Sequence, residues 1–239
     1  MSRMLWRRHR TATPSLSRTE LRTAWQVSSL LLDYPTEQLV ERIPLLREAI
    51  ADLPEHLTAG LSEFLDTLEH RGLRDLQTDY VDTFDVTRRC ALHLTYYTCG
   101  DTRKRGVELI RFTQAYRAAG AHTDAAELPD QLPVVLEFGA LHDLDVAWKL
   151  LCDHRVGIEL LGRALRDRGS RWRPVVDAIR ATLPVLDGSD EEALARLIAE
   201  GPPSEAVGLE QPGYALDPRL NPQPEPIDLG ASIPVGVPQ

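Results

Sequence analysis

From Leu21 to Leu197, apolar side chains return every three or four residues, and no stretch alternates strictly between apolar and polar. With 3.6 residues per turn, that spacing gathers them onto one face of a helix, whereas a half-buried strand needs a period of two. Leu57, Leu61, Phe64, Leu65 and Leu68 are one such stripe; Trp172, Val175, Val176, Ile179 and Leu183 are another. The β-branched residues that could suggest strands sit inside these helical patterns. The chain is therefore expected to be all-α: a single globular bundle of about eight or nine helices, with disordered termini.

Local signals place the helix ends. Ser17 with Glu20 reads as a capping box for a helix whose inner face is Leu21, Ala24, Trp25, Ser28, Leu31 and Leu32, ending before Pro35. Residues 36–52 read as helical with a break near Pro44, and the stripe from Leu57 ends at Gly72. Leu73, Leu76, Tyr80 and Phe84 predict the next helix. Asp101 and Thr102 should cap the one carrying Leu109, Phe112, Tyr116 and Ala119. Asp130 should cap a helix with Leu132, Val135, Leu136 and Gly139 on one face, where the glycine implies close helix contact. Ala147, Leu151, His154, Ile158, Leu161 and Leu165 predict one long regular helix ending at Gly169, and a last short helix covers about 190–199.

Composition divides the chain into three. Residues 1–18 hold five arginines and no acid, and read as a disordered basic arm. Residues 19–200 form the helical domain. Residues 201–239 hold nine of the 17 prolines without periodicity, and read as a disordered tail. The Arg7-Arg8 pair is followed by a polar stretch containing Pro14, which argues against an export signal, and no run approaches the roughly 20 apolar residues of a membrane helix. Three cysteines without regular spacing make no disulfide framework, so a reducing cytoplasm is the expected location. The net charge of −9 argues against a nucleic-acid partner.

Between two helices lies a polar and aromatic junction, YVDTFDVTRRCALHLTYYTCGDTRKRG, at 80–106. Its charges group as Asp85 with Arg88 and Arg89, then Asp101 with Arg103 and Arg105. These could lock the junction, while Tyr80, Phe84, Tyr96 and Tyr97 could wall an apolar groove beside His93. Residues 19–200 carry 21 basic and 31 acidic residues, so such a groove is expected to favour an amphipathic helix with a basic face.

The run TFDVTRRCALHLTYYTCGDTRKRG resembles the signature of NarJ-type assembly chaperones for respiratory nitrate reductase, within the wider TorD/DmsD group of redox-enzyme maturation proteins. LLLDYP at 30–35, ELPDQLPVVLEF at 127–138 and GSRWRPVVDAIRATLP at 169–184 follow that family in the same order, with Gln131 where it has histidine and Cys90 where it often has serine. The resemblance implies a TorD/DmsD-like helical fold and a chaperone, not an enzyme. Such a chaperone binds the apo catalytic (alpha) subunit of nitrate reductase through its N-terminal segment. It supports insertion of bis(molybdopterin guanine dinucleotide) before membrane assembly, itself holding no cofactor or metal stably. The partner-binding residues expected on this reading are Tyr80, Phe84, Asp85, Arg88, His93, Tyr96, Tyr97, Asp101, Arg103, Arg105, Asp130 and Glu137.

Two other readings stay open on the residues alone. One is a chaperone for another molybdoenzyme. The other is a small helical thiol enzyme or metal protein using Cys90, His93 and Cys99, the one nearby cluster of soft ligands. No phosphate-cradling glycine motif accompanies either.

Overall fold

The computed structural model describes residues 15–121 and 127–201. Most of the expected basic arm at 1–18, and all but the first residue of the proline-rich tail, lie outside the described residues.

Twelve α-helices make up the described chain: α1 (Arg18–Leu32), α2 (Glu37–Glu41), α3 (Ile43–Ile50), α4 (Glu55–His70), α5 (Leu73–Tyr80), α6 (Leu94–Cys99), α7 (Arg103–Ala118), α8 (Leu132–Leu141), α9 (Leu144–Asp153), α10 (Arg155–Arg168), α11 (Arg173–Thr182) and α12 (Gly188–Glu200). The class is all-α, as expected, and the count is higher because two predicted helices are subdivided and one more forms inside the junction. Residues 36–52 split at Arg42, with Pro44 seated in the first turn of α3, where no helical N–H is needed. The regular run from Ala147 to Leu165 is two helices, not one. At His154 (φ −109°, ψ 18°) the chain turns, and the imidazole Nδ1 lies 2.9 Å from the Leu150 carbonyl that also accepts the His154 amide. A single-residue break keeps the apolar residues in phase, so their spacing does not reveal it. The third addition is α6, six residues inside the expected junction.

α1 starts as read: Ser17 Oγ accepts from the Glu20 amide at 3.2 Å and Glu20 accepts from the Ser17 amide at 2.8 Å. It then runs through the centre, packed on α8, α11 and α3, while α11 also meets α4 and α10. Gly139 on α8 makes the close contact expected of it. A Cβ there would meet Ala147 and the Trp25 ring within 2.7 Å, so only glycine lets α1, α8 and α9 converge.

Aromatic rings fill the far side of α1. Trp172 packs 5.4 Å from Phe64, 5.7 Å from Tyr80 and 5.4 Å from Phe84, centroid to centroid, and donates its indole N–H to the Leu31 carbonyl at 3.2 Å. Trp25 stacks on Trp148 and donates to the Thr182 hydroxyl at 3.0 Å. Both indoles thus satisfy their polar handle inside the core.

Candidate functional site

The junction is a folded connector, whose first part continues α5 through a π-helical turn at Val81–Asp85. The extra residue rotates Phe84 inward against Tyr80 at 4.9 Å, and leaves Asp85 and Val86 exposed. A short 3₁₀ turn at Arg88–Cys90 follows, then residues 92–94 pair with 130–132 through an isolated antiparallel bridge. Here the Leu94 amide donates to the Asp130 carbonyl at 3.0 Å and the Leu132 amide to the Leu92 carbonyl at 2.8 Å.

Asp130, expected to cap the helix that follows it, does not: Gln131 occupies that position, without a side-chain bond. Its fully buried carboxylate crosses to α6, accepting from the Thr95 amide at 3.1 Å and the Thr95 hydroxyl at 2.5 Å. One orphan amide at the start of α6 is thereby engaged by a carboxylate 35 positions away, together with the hydroxyl of the same residue. His93 Nδ1 stands 3.4 Å and Arg105 Nη2 3.9 Å from the same carboxylate. Burial pushes the Asp130 carboxyl up, but the His93 and Thr95 contacts and the Arg105 charge outweigh it and hold it below its ordinary value. Thr102 begins α7 without capping it, because its hydroxyl donates to the Cys99 carbonyl at 2.8 Å.

The charged groups separate. Arg105 pairs with Asp101 at 3.5 Å and reaches the Thr95 hydroxyl, so the second group does lock α6 to α7. The first group makes no lock: Asp85, Arg88 and Arg89 are exposed and form no ion pair among the described residues. Arg103 and Glu137 are exposed on α7 and α8.

The aromatics separate too: among the described residues, Tyr80 and Phe84 are buried away from the groove that Tyr96 and Tyr97 line, so the four do not form one wall. Tyr80 and Phe84 belong to the Trp172 cluster, and the Tyr80 hydroxyl donates to the Leu32 carbonyl at 3.1 Å. A groove of about 590 Å³ lies instead between α6, α10 and α12, lined by Tyr96, Tyr97, Leu160, Ala164, Leu197 and Ile198, with Arg89, Arg163, Arg166, Asp167 and Glu200 among its polar lining. Tyr97 is buried; its hydroxyl lies 3.1 Å and 2.8 Å from the carbonyls of Arg89 and Ala91, its acceptors, and its ring lies against Gly157, where a Cβ would meet it at 3.1 Å. It forms the fixed back of the groove, and half-buried Tyr96 its accessible wall. The α10 and α12 walls escaped the sequence reading. The signal available in the sequence was the trio Leu194, Leu197 and Ile198 on the last helix; the structure buries only Leu194 there and leaves Ile198 54% exposed.

The three cysteines are free and buried. Burial pushes the Cys90 thiol up and that of Cys152 up to about 12, opposite to the lowered values of nucleophilic thiols. No group of three or more His, Cys, Asp or Glu among the described residues could hold a metal ion. Nor is any described helix long and apolar enough to cross a membrane.

These features define a class: an all-α protein with a stiffened polar connector and an open amphipathic groove. The family described as nitrate reductase delta subunit matches residues 50–178, over half of the chain, and the chain belongs to it. It is 31% identical over 170 residues to the nitrate reductase molybdenum cofactor assembly chaperone NarJ of Escherichia coli K12, covering 70% of this chain and 72% of that one. Against the probable chaperone of the same name in Bacillus subtilis, identity is 26% over 70% of this chain and 92% of the relative. The nitrate reductase-like protein NarX of Mycobacterium tuberculosis is 37% identical over 66% of this chain, which spans about a quarter of that longer protein (24%).

Proposed function

We propose that this chain is an assembly chaperone for a respiratory nitrate reductase. It binds the apo catalytic subunit through a segment near the subunit's N-terminus and keeps it open to bis(molybdopterin guanine dinucleotide). Release follows once the filled subunit is ready for the membrane. The observation that carries this reading is family membership across 50–178, alongside two relatives named as molybdenum cofactor assembly chaperones. The mechanism needs no chemistry from the chaperone. A protein that prefers the unfilled conformation raises its population, and ordering by the cofactor lowers that affinity by the same coupling. The geometry suits such a role: the Asp130–Thr95–Arg105 contacts and the Tyr97–Gly157 packing stiffen one wall of a groove sized for side chains of a partner helix. Burial of Cys90, which pushes its thiol up, weighs against the thiol-enzyme alternative that used Cys90 with His93 and Cys99.

The test is deletion of the gene. The reductase polypeptide should remain, inactive and poor in molybdenum, and the full chain supplied in trans should restore both. A deletion strain with normal reductase activity and molybdenum content would reject the reading.

A further inference from the structure

We propose that the outward face of α7 rests on an anionic lipid surface, as a peripheral contact and not a spanning one. The inference goes beyond the chaperone reading and does not depend on it. α7 packs on α6 and turns Phe112 and Tyr116 inward, where the Tyr116 hydroxyl donates to the Pro129 carbonyl at 2.7 Å. Its other side is apolar as well. Val107 is 56% and Ile110 57% exposed, a pair of aliphatic side chains that gains from being covered. Arg103, Lys104, Arg111, Gln114 and Arg117 are exposed with them. At about 100° per residue, all seven fall within roughly 140° of the helix circumference, on the side away from Phe112. Val107 and Ile110 lie inside that arc, with Lys104 and Arg111 along one edge and Arg117 along the other.

The sign of the face follows from where the acids are. Glu108 is the one acid in α7; it is buried and stands 2.7 Å from Arg111, whose charge it balances. Asp101, just before the helix, pairs with Arg105 at 3.5 Å. Lys104 and Arg117 form no ion pair among the described residues, so the free charge here is positive, although residues 19–200 hold 31 acidic and 21 basic residues. Screening over about 8–10 Å limits the repulsion from acids elsewhere, so the nearest charges decide what the face meets. An acidic polypeptide would need a groove to seat its backbone, and this face is the convex flank of a helix. A nucleic acid offers phosphates and polar base edges, which leave Val107 and Ile110 without an apolar partner. A lipid interface takes both: the aliphatic pair enters the boundary between headgroups and acyl chains, and the flanking lysine and arginine side chains reach the phosphates. Two aliphatic anchors make the contact weak and reversible.

The experiment is flotation of the full-length chain with vesicles of phosphatidylcholine alone, or of phosphatidylcholine mixed with phosphatidylglycerol. The anionic vesicles should hold the chain at least about tenfold more strongly at low salt, and added salt should remove most of that difference. Lys104→Gln combined with Arg117→Gln should weaken this binding about tenfold or more, and Ile110→Gln about threefold, since glutamine keeps helix propensity and removes only charge or apolar surface. All three positions are exposed, melting curves check that the variants fold, and Val107→Gln repeats the apolar test independently. The five arginines of residues 1–18 could attract the same vesicles, so binding that the α7 variants leave unchanged overturns the proposal. So does equal binding to both kinds of vesicle. A glutamate-rich peptide or a DNA duplex that binds more tightly than the vesicles, and loses affinity in the same variants, would be the occupant instead and reject a lipid surface. Concentration-dependent dimerisation that Ile110→Gln abolishes would do the same in favour of a second copy. None of these outcomes bears on the deletion test of the chaperone reading, which stands or fails separately.

Discussion

The Trp172 cluster and the α6–α10–α12 groove are both aromatic, and both draw residues from the 80–106 stretch, yet one is closed and the other open. Around Trp172, every ring faces another ring, and the indole N–H and the Tyr80 hydroxyl both end on backbone carbonyls of α1. At the groove, Tyr97 is closed in the same manner, but Tyr96 and Ile198 keep a free face. An aromatic residue with every face and polar atom engaged has little left for a ligand. Recognition falls to the residue whose contacts are incomplete.

The largest effect should come from the closed region. Trp172→Ala removes a fully buried indole and opens a cavity between α1, α4 and the π-helical turn, so it should cost about 3–5 kcal/mol. In a domain of this size that lowers the melting midpoint by on the order of 10 °C. A melting curve close to that of the unsubstituted chain would show the cluster to be less structural than its contacts indicate.

Tyr97 and Gly157 sit where the two kinds of region meet. Gly157→Ala pushes a methyl group to about 3 Å from the Tyr97 ring on the best-fixed wall of the groove, so overpacking of roughly 1–3 kcal/mol is expected. Tyr97→Phe should cost less, about 0.5–1.5 kcal/mol, while freeing the Arg89 and Ala91 carbonyls that set the edge of the groove. Chemical denaturation ranks the two, and reductase maturation then asks a sharper question. If Tyr97→Phe impairs maturation more than Gly157→Ala, the position of Arg89 matters beyond stability.

How much of this was legible in the sequence depends on which residues set each feature. Helix stripes such as Leu57 to Leu68 and Trp172 to Leu183 were legible because burial of one face imposes a period on nearby residues. The break at His154 was not, since a one-residue turn leaves that period intact. Asp130 was read as a local cap because cap signals are local, whereas its real acceptor role is toward Thr95, set by the pairing of 92–94 with 130–132. Net charge is likewise silent on local arrangement: ten excess acids spread over 19–200 do not say that Arg89 lines the groove without an ion-pair partner among the described residues. The groove draws its walls from three separated helices, and no window of sequence contains them together.

Asp130 gives the comparison a pH axis. Its folded-state pKa lies below the unfolded value of about 3.9, so its contribution is fully present above that value and is lost as pH falls through the folded pKa. Asp130→Asn should therefore lower stability at neutral pH by roughly 1–3 kcal/mol, through weakened contacts to Thr95 and Arg105, and the gap between the two proteins should narrow below pH of about 4. Denaturation curves at neutral pH and at about pH 3 measure the gap directly. A gap that is unchanged or wider at the lower pH would mean that the carboxylate charge is not what holds α6 to the 127–131 segment.

The smallest stability effect is expected at Tyr96, and there the functional effect should be out of proportion. Its ring is half-buried, touches Tyr97 edge-on at 5.8 Å and makes no hydrogen bond among the described residues. Tyr96→Ala should thus stay within about 1 kcal/mol of the unsubstituted chain, well short of the loss at Trp172. If the open groove is where a partner segment rests, the same change removes an aromatic wall from the contact and should weaken capture of the cofactor-free catalytic subunit by roughly 1–2 kcal/mol, mainly through faster dissociation. Surface plasmon resonance on the Tyr96→Ala and Tyr97→Phe variants, with melting curves beside it, separates the two contributions. Should Tyr96→Ala melt far below the unsubstituted chain, or hold the partner as long as it does, the division between a closed aromatic region that stabilises and an open one that recognises would fail at the residue chosen to represent it.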